Sequence, residues 1–172
     1  TYALEFSENL AALGVGPETH VAVRLNNCPE YVCMILALAR IGAVKIPVNI
    51  CANAEELSYI LEKAEAEYFF TDEWKKYPEW IFHNGIRKVI AVGYDGTADK
   101  RMMSFTDFRK NRSSWKEQKI DPFAMSDIMF TSGSTSHPKG VVMTHDMVVR
   151  SGYATARTRM MEPGRRICVP IP

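Results

Sequence analysis

Phe130-Thr131-Ser132-Gly133-Ser134-Thr135-Ser136-His137-Pro138-Lys139-Gly140 decides how the rest of this 172-residue chain is read. The stretch crowds serines and threonines together with two glycines, a proline and a lysine. Asp127-Ile128-Met129-Phe130 leads into it and Val141-Val142-Met143 leads out. Both runs are short, apolar and bounded by turn residues, so both predict strands. Small residues let backbone N–H groups approach an anion, the hydroxyls add donors, and lysine adds a mobile positive charge. That chemistry suits a polyphosphate. A plain solvated hairpin turn is the competing reading, and the Pro138-Lys139-Gly140 ending outweighs it.

Two familiar phosphate motifs fail here. A Walker A loop runs from a strand straight into a helix and ends in Gly-Lys-Ser/Thr. In this chain Pro138 stands five residues after Gly133, Lys139 precedes Gly140, and a strand follows before any helix. A dinucleotide-binding Gly-x-Gly-x-x-Gly occurs nowhere.

Outward from the loop, the chain reads as helices alternating with short β-branched or aromatic runs. A helix to about Leu13 stops at Gly14-Val15-Gly16-Pro17. His20–Leu25 is a strand, and Pro29 opens a helix over Glu30–Ile41 that Gly42 ends. That helix is apolar almost all round, which predicts burial. Ala43–Val48 is the next strand. Asn53 and Glu56 form a capping box for a helix whose apolar face is Leu57, Ile60, Leu61 and Ala64. Tyr68–Thr71 is a strand, Trp74–His83 a loose helix, and Lys88–Val92 another strand. From Gly93 to Met125 the pattern fades, apart from a short helix over Phe105–Phe108 beginning near Ser104. Lys110–Lys119 reads as a charged, solvated connection. After the loop, Thr144-His145-Asp146 caps a helix to about Met161, and Arg166–Val169 is a final strand. The predicted class is α/β, a layered Rossmann-like domain with a mainly parallel sheet. Residues 1–125 form an α/β subdomain, and 126–172 hold the phosphate loop, a long helix and the start of the next strand.

Composition fits an ordinary globular protein, with 47% apolar and 24% charged residues. A net charge of +1 gives no reason to expect nucleic acid or an anionic membrane surface as partner. The most apolar run, Val32–Val48, is interrupted by Arg40 and Lys45 and is too short to span a bilayer. Cys28, Cys33, Cys51 and Cys168 show neither a Cys-x-x-Cys pair nor zinc spacing. They read as buried small hydrophobes of a reducing, cytoplasmic protein. The chain starts in mid-helix at Thr1 and stops at Pro172 as a strand enters a loop, which predicts a piece of a larger protein.

The loop resembles that of the adenylate-forming superfamily of acyl- and aryl-CoA synthetases, luciferases and peptide-synthetase adenylation domains. Their loop is aromatic-Thr-Ser-Gly-Ser/Thr-Thr-Gly-any-Pro-Lys-Gly-Val, and the chain matches it through Val141 with Ser136 in place of the second glycine. Asn27–Tyr31, Ala37–Val44, Ile46–Asn49 and Ala54–Leu61 are similar to the N-terminal part of an acyl-CoA synthetase, so the resemblance covers the whole chain. If that glycine adopts a positive φ, serine costs roughly 1 kcal/mol. Serine at this place is also similar to carnitine/crotonobetaine-type CoA ligases, and it is read as a subfamily variant.

The resemblance implies roles. Thr131, Ser132, Gly133, Ser134 and Thr135 would wrap the β- and γ-phosphates of ATP, Thr131 would also touch Mg²⁺, and Lys139 would be the catalytic cation facing the leaving pyrophosphate. It implies a carboxylate–CoA ligase with ATP, Mg²⁺ and CoA, acting on a small-molecule carboxylate, and leaves oligomerisation open. The ribose-binding aspartate, the acidic metal ligand, the acyl pocket and the catalytic lysine of the mobile domain fall beyond Pro172, so the 172 residues alone are expected to be inert. Alternatives from this resemblance are a peptide-synthetase adenylation domain loading a carrier protein, and a non-catalytic binding module. His145 reads as a structural helix-start residue, His137 as solvent-facing, and Arg157, Arg159, Arg165 and Arg166 as solvated surface. Trp74, Trp80 and Trp115 read as packing anchors.

Overall fold

A computed structural model describes residues 2–76, 80–95, 99–131 and 138–166. In chain order its elements are α1 (Tyr2–Ala12), β1 (His20–Arg24), α2 (Pro29–Ile41), β2 (Val44–Pro47), α3 (Ala54–Lys63), β3 (Tyr68–Thr71), β4 (Lys88–Ala91), β5 (Met102–Ser104), α4 (Phe105–Lys110), β6 (Met125–Thr131), β7 (Lys139–Thr144) and α5 (His145–Thr158). The strands form one sheet in the order β5-β4-β3-β1-β2-β6-β7. Every pairing is parallel except β6–β7, which is antiparallel. The α/β, mainly parallel expectation is therefore correct.

Strand alternation divides the core between the two faces of the sheet. Ala22, Ile46, Phe69 and Val89 point to one side and pack with Leu57, Ile60 and Leu61 of α3. Val21, Val23, Phe70 and Ile90 point to the other and pack with Phe6 and Leu10 of α1, Met34 and Leu38 of α2, and Phe108 of α4. Phe70 and Phe108 meet edge to face with centroids 5.2 Å apart. Both faces of β1 and β3 are covered, which is why Val21–Val23 and Tyr68–Phe70 run apolar without alternation.

Local chemistry sets the boundaries. Asn53 caps α3 by accepting from the Glu56 N–H at 2.9 Å, and Ser104 caps α4 by accepting from the Asp107 N–H at 2.9 Å. Gly42 ends α2 in the left-handed region at φ 73°, where its N–H reaches Ala39 and Leu38 carbonyls. A Cβ there would also lie 2.8 Å from Ile120 Cδ1, a side-chain end that can move aside, so it is the conformation that calls for glycine.

Several expectations are corrected. α2 is not buried all round: Met34, Ala37, Leu38 and Ile41 face the core, but Val32 is 57% and Leu36 51% exposed. Of the loose helix expected over Trp74–His83, the described residues form two 3₁₀ turns, Trp74–Lys76 and Trp80–Asn84, and 77–79 lie outside them. The faded region hides a strand, β5, parallel to β4. Its three residues are too few to carry a period. The charged connection after Lys110 is tied down: Asn9 Nδ2 donates to Asn111 O at 2.6 Å, Ser113 Oγ donates to Glu8 O at 3.2 Å, and Arg40 sits 5.8 Å from the Trp115 ring. α5 ends at Thr158 instead of Met161. Cys28 and Cys33 are half-buried and Cys51 is exposed, so burial does not explain these three thiols. Cys168 and the strand expected over Arg166–Val169 from residue 167 onward lie outside the described residues.

Candidate active site

Because β6 runs parallel to β2, its last residue, Thr131, emerges at the same edge as the C-terminal ends of β1, β2 and β3. In open α/β sheets ligands bind outside that edge. β7 returns antiparallel and pairs Lys139 directly with Thr131, so the two residues form the neck of the loop. The Thr131 hydroxyl points at Lys139 O across 3.5 Å, a long contact that leaves its oxygen open to another partner. Both residues are exposed. Ser132, Gly133, Ser134, Thr135, Ser136 and His137 lie outside the described residues.

The pleat assigns the neck's neighbours. Ile128 and Phe130 join the core on one face, and Gly140 packs against them: an added Cβ would lie 3.2 Å from Ile128 Cγ2 and 3.3 Å from the Phe130 ring. Asp127, Met129 and Thr131 share the opposite face. The register sets Asp127 beside Lys45 of β2, and their side chains form an ion pair of 2.5 Å with only 14% and 5% of each exposed. Ser126 Oγ donates to the second carboxylate oxygen, Asp127 Oδ2, at 2.7 Å. The Tyr31 phenol of α2 is pushed above its ordinary pKa by burial and, secondarily, by the Asp127 charge. Neither Lys45 nor Asp127 was singled out in the sequence, although a charge inside each apolar strand was the available signal.

Downstream, Thr144 caps α5 by accepting from the Met147 N–H at 3.3 Å, and the His145 and Asp146 N–H groups donate to Ala124 O and Pro122 O at 3.2 and 2.8 Å. The structural role expected of His145 at the helix start is thus carried by its backbone N–H. Its enclosed Nε2 has no partner among the described residues. Elsewhere on the C-terminal edge, Arg24 is bound by Glu73 and Ile50 O, and Asn26 donates to Asp72 Oδ2 at 2.7 Å. An open hollow of about 600 Å³ lined by Glu18, His20, Glu67 and Arg87 lies at the opposite, N-terminal edge of the sheet. Its carboxylates make it a poor phosphate site.

The sequence profile of AMP-binding enzymes matches residues 1–172. The chain belongs to the AMP-binding enzyme family. A crotonobetaine/carnitine–CoA ligase of Salmonella agona is 31% identical over 151 residues, 84% of this chain and 29% of that protein. Its counterpart in Salmonella paratyphi B is 33% identical over 152 residues, with the same coverage. The AMP-binding fold is equally plain in solved structures. The long-chain-fatty-acid–CoA ligase FadD1 of Archaeoglobus fulgidus superposes on 94% of the chain with a TM-score of 0.82 at 24% identity, and the chain covers 32% of it. The anthranilate–CoA ligase AuaEII, solved with anthranoyl-AMP, gives a TM-score of 0.74 at 21% identity over 84% of the chain and 28% of its own. The chain therefore spans under a third of the length of each of these four proteins.

Proposed function

We propose that this chain is the phosphate-loop portion of an ATP-dependent carboxylate–CoA ligase. The observation that carries the reading is the Thr131–Lys139 neck, which opens at the C-terminal edge of a parallel sheet in an AMP-binding enzyme. In the first half-reaction a carboxylate oxygen of the substrate attacks the α-phosphorus of ATP. The bond from that phosphorus to the bridging oxygen breaks, giving acyl-AMP and pyrophosphate. In the second, the CoA sulfur attacks the acyl carbonyl, AMP leaves, and the thiol proton passes to solvent. Crotonobetaine/carnitine–CoA ligases support a small carboxylic acid as substrate. The cytoplasm, where ATP and CoA are available, is the proposed location.

Lys139 acts as the cation that meets charge developing on pyrophosphate, and Ser132, Gly133, Ser134 and Thr135 supply the surrounding donors. Fixed donors aimed at developing charge are among the strongest catalytic contributions an enzyme makes. No cluster of three His, Cys, Asp or Glu side chains suited to a metal occurs among the described residues. The exposed Thr131 hydroxyl does fit Mg²⁺, a hard ion that takes one or two protein oxygens beside substrate phosphates. Thr131 would be that protein donor, and the ion would neutralise phosphate charge.

Carboxylate-dependent ATP–pyrophosphate exchange tests the reading. The complete polypeptide carrying this chain should show exchange, and the 172 residues alone should show none. Release of AMP with CoA, and not with a carrier protein, identifies the acceptor. Lys139→Ala should slow single-turnover adenylation about 100-fold, the scale of losing one charge-stabilising donor, while carboxylate affinity changes much less. Equal losses in both would refute the role given to Lys139.

A further inference from the structure

We propose that the Lys45–Asp127 pair is a positioning device that fixes the register of β6 against β2, and thereby fixes where the phosphate loop leaves the sheet. Among the described residues β6 pairs with the parallel sheet through β2 alone, and its other neighbour, β7, has no further strand beside it. The helix that follows buries none of its residues. Within the described residues Thr131 and Lys139 are tied to the parallel sheet through this strand joint, and at it the register partners are Lys45 and Asp127.

The alternatives at this joint show what the charges add. Slipping β6 by one residue would reverse its faces and expel Ile128 and Phe130 from the core, which burial already forbids. A slip of two residues keeps the faces. It would set Met129 opposite position 45, and with two apolar partners there the pair would no longer oppose such a slip. With a lysine opposite an aspartate, the same slip strands both charges in a buried position, where an unpaired ion is heavily disfavoured. Ser126 Oγ strengthens the preference by holding the other carboxylate oxygen. The stake is large: two residues of strand displace the loop by roughly 6–7 Å, whereas about 1 Å of misplacement can cost 100-fold in rate.

The register part stands on the fold, and the catalytic part rests on the ligase reading. Two measurements separate them. Lys45→Met, Asp127→Leu, the double variant, and Lys45→Arg are compared with wild type. In the 172-residue chain, cross-strand backbone NOEs between β2 and β6 report register. Each single variant should lower the melting temperature, and the double variant should regain it because no lone charge remains. NOEs of the double variant should nonetheless show mixed registers offset by two residues. In the complete polypeptide, kcat for pyrophosphate exchange should stay about 100-fold low in the double variant, and Lys45→Arg should keep most of the activity. A single wild-type register in the double variant overturns the proposal, as does full recovery of kcat together with stability. Absence of exchange in wild type, with registers mixing as expected, sinks the ligase reading and leaves the register role standing.

Discussion

Helices α2 and α5 are near equals in length, 13 and 14 residues, yet α2 buries Met34, Ala37, Leu38 and Ile41 while α5 buries nothing. α5 is well written locally. Thr144 caps it, and Asp146 pairs with Arg150 one turn on at 2.7 Å. Its apolar residues Met147, Val148, Val149 and Tyr153 nevertheless face outward, beside Val141 and Val142 of the edge strand β7. The contrast extends to the two parts of the chain. Residues before Met125 enclose two cores, one on each face of the sheet, whereas of β6, β7 and α5 only Ser126, Asp127 and Ile128 are buried. Capping and pairing suffice to make an element, but a helix of this length is marginal without a packed face. Among the described residues the loop-bearing part is therefore held through β6, by its joint with β2 and by the packing of Ile128 and Phe130 against the core.

The strongest way to break this comparison is to truncate one residue in each part. Phe70 is fully enclosed and stacked edge-on against Phe108, so Phe70→Ala should cost about 3–5 kcal/mol. Val149, 69% exposed on α5, should cost within about 0.5 kcal/mol as alanine. Urea unfolding of the 172-residue chain measures both. Comparable losses would mean that α5 is packed in solution and the contrast is false.

A smaller effect tests whether β7 is held by shape at the neck. Gly140 gives Ile128 and Phe130 their room, and a Cβ there meets both within 3.3 Å. Gly140→Ala should cost about 1 kcal/mol, the low end for overpacking, because the atoms a Cβ meets are side-chain atoms that can give by a few tenths of an ångström. Amide exchange should accelerate first in β6 and β7, leaving β1 and β3 protected. Uniform loss of protection across the sheet would show that the two parts unfold together.

These differences also explain what could be read in the sequence. Where a segment is packed on both sides, as in Tyr68–Thr71, composition alone marked the strand. Where a side chain caps a helix, as at Asn53, Ser104 and Thr144, the boundary was legible as well. β5 was not legible, because three residues carry no period, and the exposed flank of α2 was misread because apolar residues all round a helix normally mean burial. The outward apolar face of α5 could not be read either, since a pattern of side chains says nothing about whether a partner surface is there. At the site, the neck residues Thr131 and Lys139 were found through the loop motif. Lys45 and Asp127 were missed because one read as an interruption of an apolar run and the other as the first residue of a strand, and only the sheet order, which no local pattern encodes, makes them neighbours.

The smallest effect sharpens the comparison at a single atom type. Cys28 is the N-cap of α2, a position where the helix dipole and the N–H groups of the first turn ordinarily favour a thiolate. Its thiol is instead pushed above the ordinary value, chiefly by burial and further by the Glu30 charge, against a lowering contribution from the Tyr31 N–H. Packing of the first part thus overrides a local electrostatic preference, the reverse of what happens in α5, where local rules act without packing. The raised pKa means a smaller thiolate fraction at any pH below it, and only the thiolate is alkylated. At pH 8 Cys28 should therefore react several-fold more slowly with iodoacetamide than the exposed Cys51, and the gap should narrow as pH rises past 9 and the Cys28 thiolate fills in. Peptide mass spectrometry over a pH series reads each cysteine separately. Equal rates at pH 8 would mean that the helix N-terminus prevails over burial and that α2 opens readily at its start, which would place its first turn with the loosely held part of the molecule.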